Sequence, residues 1–247
     1  MKIVAVIQAR MGSTRLPGKV LMNIGGATCL ARVAARLSRA QRIDQIVIAT
    51  TTSSSDDVIV RAAEGLGVEC FRGSEQDVLS RYAGAAEKSH ADAVVRITSD
   101  CPLIDPDLVD RVVSEAISAG VDYASNCLPR TYPRGLDTEY FTSLALYKAD
   151  AIADQPHHRE HVTPIFYERR DVFRTCFVCG DRDYSQYRWT LDTPEDLELI
   201  RAIYVTFNGR DDFAWQDVIS LMERSPDLAS INAHIVQKPV CQVEAAH

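Results

Sequence analysis

Apolar positions in the first half of the chain follow two alternating patterns. Short continuous runs of strand length occur at Ile3–Ile7, Gln45–Thr50, Val68–Phe71 and Ala93–Thr98. Between them, apolar residues recur at helical spacing. Leu30, Val33, Ala34 and Leu37 do so within 28–40, and further helices are expected from Ser55-Asp56-Asp57 to Gly67, over 77–89 and over 107–119 before Gly120. Unbroken apolar runs suit strands covered on both faces. Strands alternating with helices imply right-handed crossovers, so the pattern predicts one three-layer α/β domain with a mainly parallel central sheet and helices on both faces. The second half is less regular. Residues 172–178 read as a strand, Thr193-Pro194-Glu195 opens a helix through Tyr204, and 214–222 forms another. No repeat or linker divides the chain, so a single domain is expected over 1–238, with a disordered tail over 239–247.

Composition narrows this only a little. The chain has 247 residues, 46% hydrophobic and 25% charged, with a net charge of -7. That balance is ordinary for a globular protein and argues against broad binding to nucleic acid or anionic membrane. No run of about 18 apolar residues occurs, and the N-terminus enters a strand without a leader pattern, so a cytoplasmic protein is expected. Seven scattered cysteines do not read as a disulfide framework. Cys176 and Cys179 form the one C-x-x-C, but no second pair lies at zinc-finger spacing, so buried thiols are the expectation.

In a sheet of this kind, ligands gather beyond the carboxyl ends of the strands. The loop after the first strand, Gln8 to Lys19, carries Arg10, Arg15 and Lys19 among Gly12, Ser13, Pro17 and Gly18. Glycines let backbone N–H groups approach a ligand, and the cations favour a polyanion such as a nucleoside triphosphate. The spacing is neither a Walker A loop nor a dinucleotide fingerprint. A merely solvated basic loop is the alternative.

The string Q-A-R-M-G-S-T-R-L-P-G-K, Gln8 to Lys19, resembles the signature loop of the sugar nucleotidyltransferases that make CMP-activated acidic sugars. These include the 3-deoxy-manno-octulosonate and acylneuraminate cytidylyltransferases, and the resemblance is strongest to the spore-coat polysaccharide biosynthesis branch. It implies a Rossmann-like domain of the GT-A type and a cytoplasmic, magnesium-dependent enzyme. That enzyme would transfer CMP from CTP to an acidic, ulosonic-type sugar, releasing pyrophosphate, and would commonly be a dimer. Nucleotide contacts would then fall to Ala9, Arg10, Met11, Gly12, Ser13, Arg15 and Lys19, and beyond the third strand to Arg72, Gly73, Ser74 and Arg81. An exposed helical position is the alternative for Arg81.

The remaining candidates lie on later loops. Asp100, in D-C-P-L-I, leaves the end of the fourth strand, where a carboxylate near a triphosphate calls for a cation. The resemblance makes Asp100 one metal ligand and Asp192, in D-T-P-E-D-L, the second, across one Mg2+. Thr193 onward is explained by helix-start grammar alone. The hydroxyl-rich turn 50–55 could bond a base or ribose, or simply be a solvated turn. Arg134, Asp137 and Glu139, in P-R-G-L-D-T-E, and Arg159, Glu160 and His161, in R-E-H-V-T, match acceptor-side segments of the spore-coat branch. Arg134 could pair with an acceptor carboxylate, and Asp137 and Glu139 could hold acceptor hydroxyls. His157 and His161 stand four apart, but no third zinc ligand is evident in sequence. A GT-A glycosyltransferase using a nucleotide-sugar donor is the competing class. Its D-x-D pair would have to be Asp181-Arg182-Asp183, which falls in a turn away from the central strands.

Overall fold

A computed structural model describes residues 1–237; the expected tail over 239–247 lies outside the described residues. In chain order the elements are β1 (Ile3–Gln8), β2 (Asn23–Ile24), β3 (Ala27–Thr28), α1 (Cys29–Leu37), β4 (Gln45–Thr51), α2 (Asp57–Gly65), β5 (Glu69–Gly73), α3 (Val78–Lys88), β6 (Ala93–Thr98) and α4 (Pro106–Ala119). These are followed by β7 (Tyr123–Ser125), β8 (Glu139–Thr142), α5 (Ser143–Ile152), α6 (Pro156–His161), α7 (Pro164–Glu168), β9 (Thr175–Phe177), α8 (Pro194–Thr206), α9 (Trp215–Arg224) and α10 (Pro226–Ser230).

Seven strands form one sheet in the order β5-β4-β1-β6-β8-β7-β9. The first four are mutually parallel, and β8 runs against β6 and β7. Strand periodicity sends alternate side chains to opposite faces. Ile3, Ala5 and Ile7 therefore pack with α1, α2 and α4, whereas Val4 and Val6 pack with α3, α5 and α7. A third apolar cluster lies beyond the sheet, where Trp189, Leu191, Ile200, Ile203 and Val218 pack against Ile24 and Leu103. Buried arginines of α1 tie it to that helix. The Arg32 guanidinium donates to the Gly209 carbonyl and that of Arg36 to the Phe213 carbonyl.

Helix starts follow the expected chemistry. Thr28, Asp77, Asp105 and Thr193 accept backbone N–H bonds at the starts of α1, α3, α4 and α8. Asp56 is the exception. It was expected among the acids opening α2, yet its side chain makes no cap bond. Instead Oδ1 accepts the Met11 N–H at 2.8 Å and Oδ2 accepts the Thr51 hydroxyl at 2.5 Å. Of the strand expected over 172–178, only Thr175–Phe177 pairs, as an edge strand beside β7. Cys29 and Cys101 are fully buried; Cys70, Cys127, Cys176 and Cys179 are only partly so. No described helix is long and apolar enough to cross a membrane.

Candidate active site

Because β1, β4, β5 and β6 are parallel, the loops after their carboxyl ends converge on one edge of the sheet. The loop after β1 is folded on itself, the Met11 carbonyl accepting N–H groups from Ser13 and Gly18. Gly18 supplies the left-handed turn, φ 70°, that brings Lys19 back toward the sheet. Met11 is in turn fixed by the buried Asp56.

Asp100 and Asp192 meet although they are distant in sequence. The Leu191 N–H donates to the Asp100 carbonyl at 2.7 Å, so the loop before α8 is stitched to the loop after β6. One ammonium bridges the two carboxylates: Lys19 Nζ donates to Asp100 Oδ2 and to Asp192 Oδ1, both at 2.6 Å. Asp192 Oδ2 also takes Arg15 at 3.0 Å and Arg188 at 2.9 Å. Burial alone would lower the Lys19 pKa, but the two carboxylates outweigh it and hold the amine above its ordinary value. Burial would likewise raise Asp192, yet Lys19, Arg15 and Arg188 hold its carboxyl below the usual aspartate value.

Around this triad runs a polar cleft of about 260 Å³. It brings together Arg10, Gly12, Ser13, Arg15, Lys19, Asp100 and Asp192, with Gln8, Thr14 and Thr98. Gln8 and Arg10 also border a hollow of about 540 Å³ whose wall includes Arg81, Glu160 and His161. Arg81 is not the exposed helical residue it could have been. It is 1% exposed, its Nη1 donates to the Ser74 carbonyl, and its Nε and Nη2 have no protein partner. Burial, with Arg10 nearby, lowers its pKa. A buried donor left unpaired costs roughly 1–3 kcal/mol, so these two atoms are candidates for a bond to a ligand acceptor.

A third hollow, about 570 Å³, is lined by Arg134, Asp137, Glu139 and His161 together with Arg96 and Arg130. Its acids are already engaged. Asp137 takes a two-pronged bond from Arg130, at 2.5 and 2.8 Å, and this overrides burial to lower its pKa. Glu139 accepts from Arg96 and from the Tyr123 hydroxyl at 2.7 Å. Both therefore position arginines rather than standing free for acceptor hydroxyls. Arg134 makes no ion pair among the described residues, while its backbone bridges to Tyr187 and Trp189.

Several expected contacts fall outside these hollows. Arg72 donates to the Thr51 and Ser53 carbonyls and pairs with Asp57. Arg159 is tied to Asp150 at 2.5 Å and Asp77 at 3.3 Å. Ala9 is buried, its N–H bonded to Ala49. Gly73 packs on Phe71 and Arg81, with no room for a side chain. Thr50 and Thr51 are buried, so the hydroxyl-rich turn is partly structural. Sequence reasoning read Asp56 only as part of a helix start and passed over Arg96, Arg130 and Arg188. Arg96 alone gave a signal, as a charge inside the apolar run AVVRIT.

The parallel sheet, the phosphate-sized basic loop and the facing carboxylates define a nucleotidyltransferase-type α/β protein. A profile of the cytidylyltransferase family matches residues 4–217, and the chain belongs to that family. It is 36% identical to an uncharacterized protein of Methanocaldococcus jannaschii over 99% of this chain and 100% of that one. It is 34% identical to the spore coat polysaccharide biosynthesis protein SpsF of Bacillus subtilis, over 92% and 97% of the two chains. Among solved structures, a cytidylyltransferase from Leptospira borgpetersenii superposes with a TM-score of 0.90 at 36% identity, covering 97% of this chain and all of that one. A CMP:2-keto-3-deoxy-manno-octonic acid synthetase complexed with CTP shares the fold at a TM-score of 0.66 and 19% identity, over 84% and 100%.

Proposed function

We propose that this cytidylyltransferase moves CMP from CTP to an acidic, ulosonic-type sugar for surface polysaccharide biosynthesis, releasing pyrophosphate. The observation that carries the reading is the Lys19 bridge: two carboxylates from distant segments share one cation beside a basic loop. CTP as donor is supported by the family, and the acidic acceptor by the octulosonate enzymes that the chain resembles. Cytoplasmic action accords with both.

Arg10, Arg15 and Lys19 hold the β and γ phosphates and neutralise the charge that builds on the leaving pyrophosphate. Asp100 and Asp192 offer hard carboxylate oxygens next to those phosphates, a donor set that fits Mg2+. Bound there, Mg2+ would supply Lewis-acid polarisation of the α-phosphate. Lys19 occupies the space between the two acids, and its ammonium swings to pair with a phosphate when the nucleotide enters. The unpaired donors of Arg81 meet an acceptor on the nucleotide in the second hollow, with Ser74 as its backbone support. Arg134 takes the acceptor carboxylate in the third, where Asp137 and Glu139 keep Arg130 and Arg96 in place. The acceptor hydroxyl oxygen then attacks the α-phosphorus in line as the bond to the β-phosphate oxygen breaks, pyrophosphate leaving and the hydroxyl proton passing to solvent, so positioning provides most of the acceleration.

The test is pyrophosphate release from each of the four nucleoside triphosphates with Mg2+ and a panel of acidic sugars. Release from CTP that depends on a ulosonic acid is the expected outcome. Release of a nucleoside diphosphate from a nucleotide sugar would favour the glycosyltransferase class, although Asp181-Arg182-Asp183 lies on an exposed bend outside all three hollows.

A further inference from the structure

The turn between α6 and α7 carries a cluster that the cleft chemistry leaves unused. His157 and His158 are consecutive residues in the first turn of α6, and Glu168 is the last residue of α7. His158 Nε2 lies 2.7 Å from Glu168 Oε2. His157 Nε2 lies 3.0 Å from that same oxygen and 3.2 Å from Oε1. Sequence spacing set His161 four residues from His157 with no third ligand in view; the fold brings Glu168 to His157 and its neighbour His158. Among the described residues, this is the one trio of His, Cys, Asp or Glu whose ligand atoms all lie within 4.8 Å of one another.

We propose that His157, His158 and Glu168 bind a zinc-class transition-metal ion, with a fourth position open to water. The donor set decides the class. Two imidazoles and one carboxylate suit zinc, cobalt or nickel, whereas magnesium prefers an all-oxygen site such as Asp100 and Asp192. Bonds of about 2.0–2.1 Å in a tetrahedron separate the donor atoms by about 3.3 Å, so Glu168 Oε2 has to draw back about half an ångström from His158 Nε2, now at 2.7 Å, for the ion to enter. His157 and Glu168 are partly exposed and give access from solvent, while His158 is enclosed. His158 Nδ1 is buried without a hydrogen-bond partner. Metal-bound imidazole keeps its proton on that nitrogen, and the missing acceptor makes the site weaker by about ten- to a hundredfold than one with a full outer shell.

The location gives the ion a mechanical role. Val162, between the two helices, is fully buried with φ 70° and ψ -57°, a strained γ-turn closed by the Thr163 N–H on the His161 carbonyl at 2.8 Å. His161 and Thr163 line the third hollow. A cation joining the start of α6 to the end of α7 spans this turn and pins that wall. The metal site stands whether or not the hollow holds an acidic sugar.

Metal-stripped full-length protein, free of nucleotide and magnesium, is titrated with Co2+ and followed by its d–d absorption. Zn2+ is then added as competitor. One equivalent with the intense spectrum of tetrahedral cobalt is expected, displaced by Zn2+. Affinity should fall at least about tenfold in both His157→Ala and Glu168→Gln. Glu168→Gln retains the side-chain shape and a hydrogen bond, so it separates loss of a ligand from loss of fold. No cobalt spectrum, or equal affinity in wild type and Glu168→Gln, would overturn the site and place any bound metal on other side chains. Because no substrate is present, failure here would leave the cytidylyltransferase reading untouched, and the converse also holds.

Discussion

The two sides of the cleft hold their charges by opposite means. On the side built by the first half of the chain, the backbone is fixed and the cations are either exposed or paired with the acids that border the cleft. Met11 is locked by Asp56, yet Arg10 is exposed and Lys19 and Arg15 are paired with the acids a ligand would reorganise. On the side built by the second half, the loops are irregular and the charges are committed to one another. Arg130 is locked to Asp137 and Arg188 to Asp192 and Asp196, while Glu139 of β8 reaches across to hold Arg96 of β6. Regular βα units supply their own backbone order, so the cations they carry remain available to a phosphate chain. Irregular loops have no such ladder, and buried ion pairs with well-formed hydrogen bonds take its place.

That contrast can be broken most forcefully at Arg188. Asp196 is fully buried against it, with bonds of 2.9 and 3.0 Å, so Arg188→Ala leaves a buried carboxylate without its cation. A loss of about 3–5 kcal/mol in unfolding free energy is expected by chemical denaturation. A loss below about 1 kcal/mol would mean that the second half does not rely on its ion pairs.

Lys19→Ala should act on rate more than on fold. Removing one preorganised charge partner raises a barrier by about 2–4 kcal/mol, so turnover should fall roughly a hundredfold or more, as it should for Asp192→Asn. Lys19→Ala also leaves Asp100 and Asp192 facing each other without their shared ammonium. Its melting temperature should drop, and Mg2+ should restore it more in the variant than in wild type. Turnover within tenfold of wild type for either variant would refute the assignment.

A smaller effect is expected at Asp56→Ala, which frees the Met11 N–H and the Thr51 hydroxyl. About 1.5–3 kcal/mol of local order should be lost, read as a raised KM for the triphosphate. An unchanged KM would show that the loop is ordered without its anchor.

The smallest effect is on pH dependence. Asp192 titrates lower folded than unfolded, so it adds stability that is fully present above its ordinary value of 3.8 and is lost as pH falls through its lowered folded value. The difference in melting temperature between wild type and Asp192→Asn should therefore narrow on acidification below that point. A difference constant down to the acid limit would contradict the pairing.

Much of the first half was legible because it obeys local rules. The run Ala93–Thr98 is the strand observed, and α1, α3 and α4 begin within a residue of where the apolar spacing put them. The loop from Gln8 to Lys19 reads as a polyanion cradle from its own residues. Asp56 misled for a physical reason: an acid before a helix satisfies capping grammar whether or not it caps, and only the loop folded above it reveals its use. Asp137 and Glu139 looked like free acids because Arg96 lies on a distant strand and Arg130, though seven residues from Asp137, faces it only once the irregular loop between β7 and β8 has folded.

By itself, then, the chain's pattern determined the parallel βα units, the basic loop and the carboxylate at the end of β6, because each depends on neighbours a few residues away. Tertiary structure decided which charges meet. It brought Asp192 to Asp100 across Lys19, left the donors of Arg81 unpaired in a hollow, and set Glu168 beside His157 and His158. Electrostatic partnership acts through space over a few ångströms, and sequence separation carries no record of that distance.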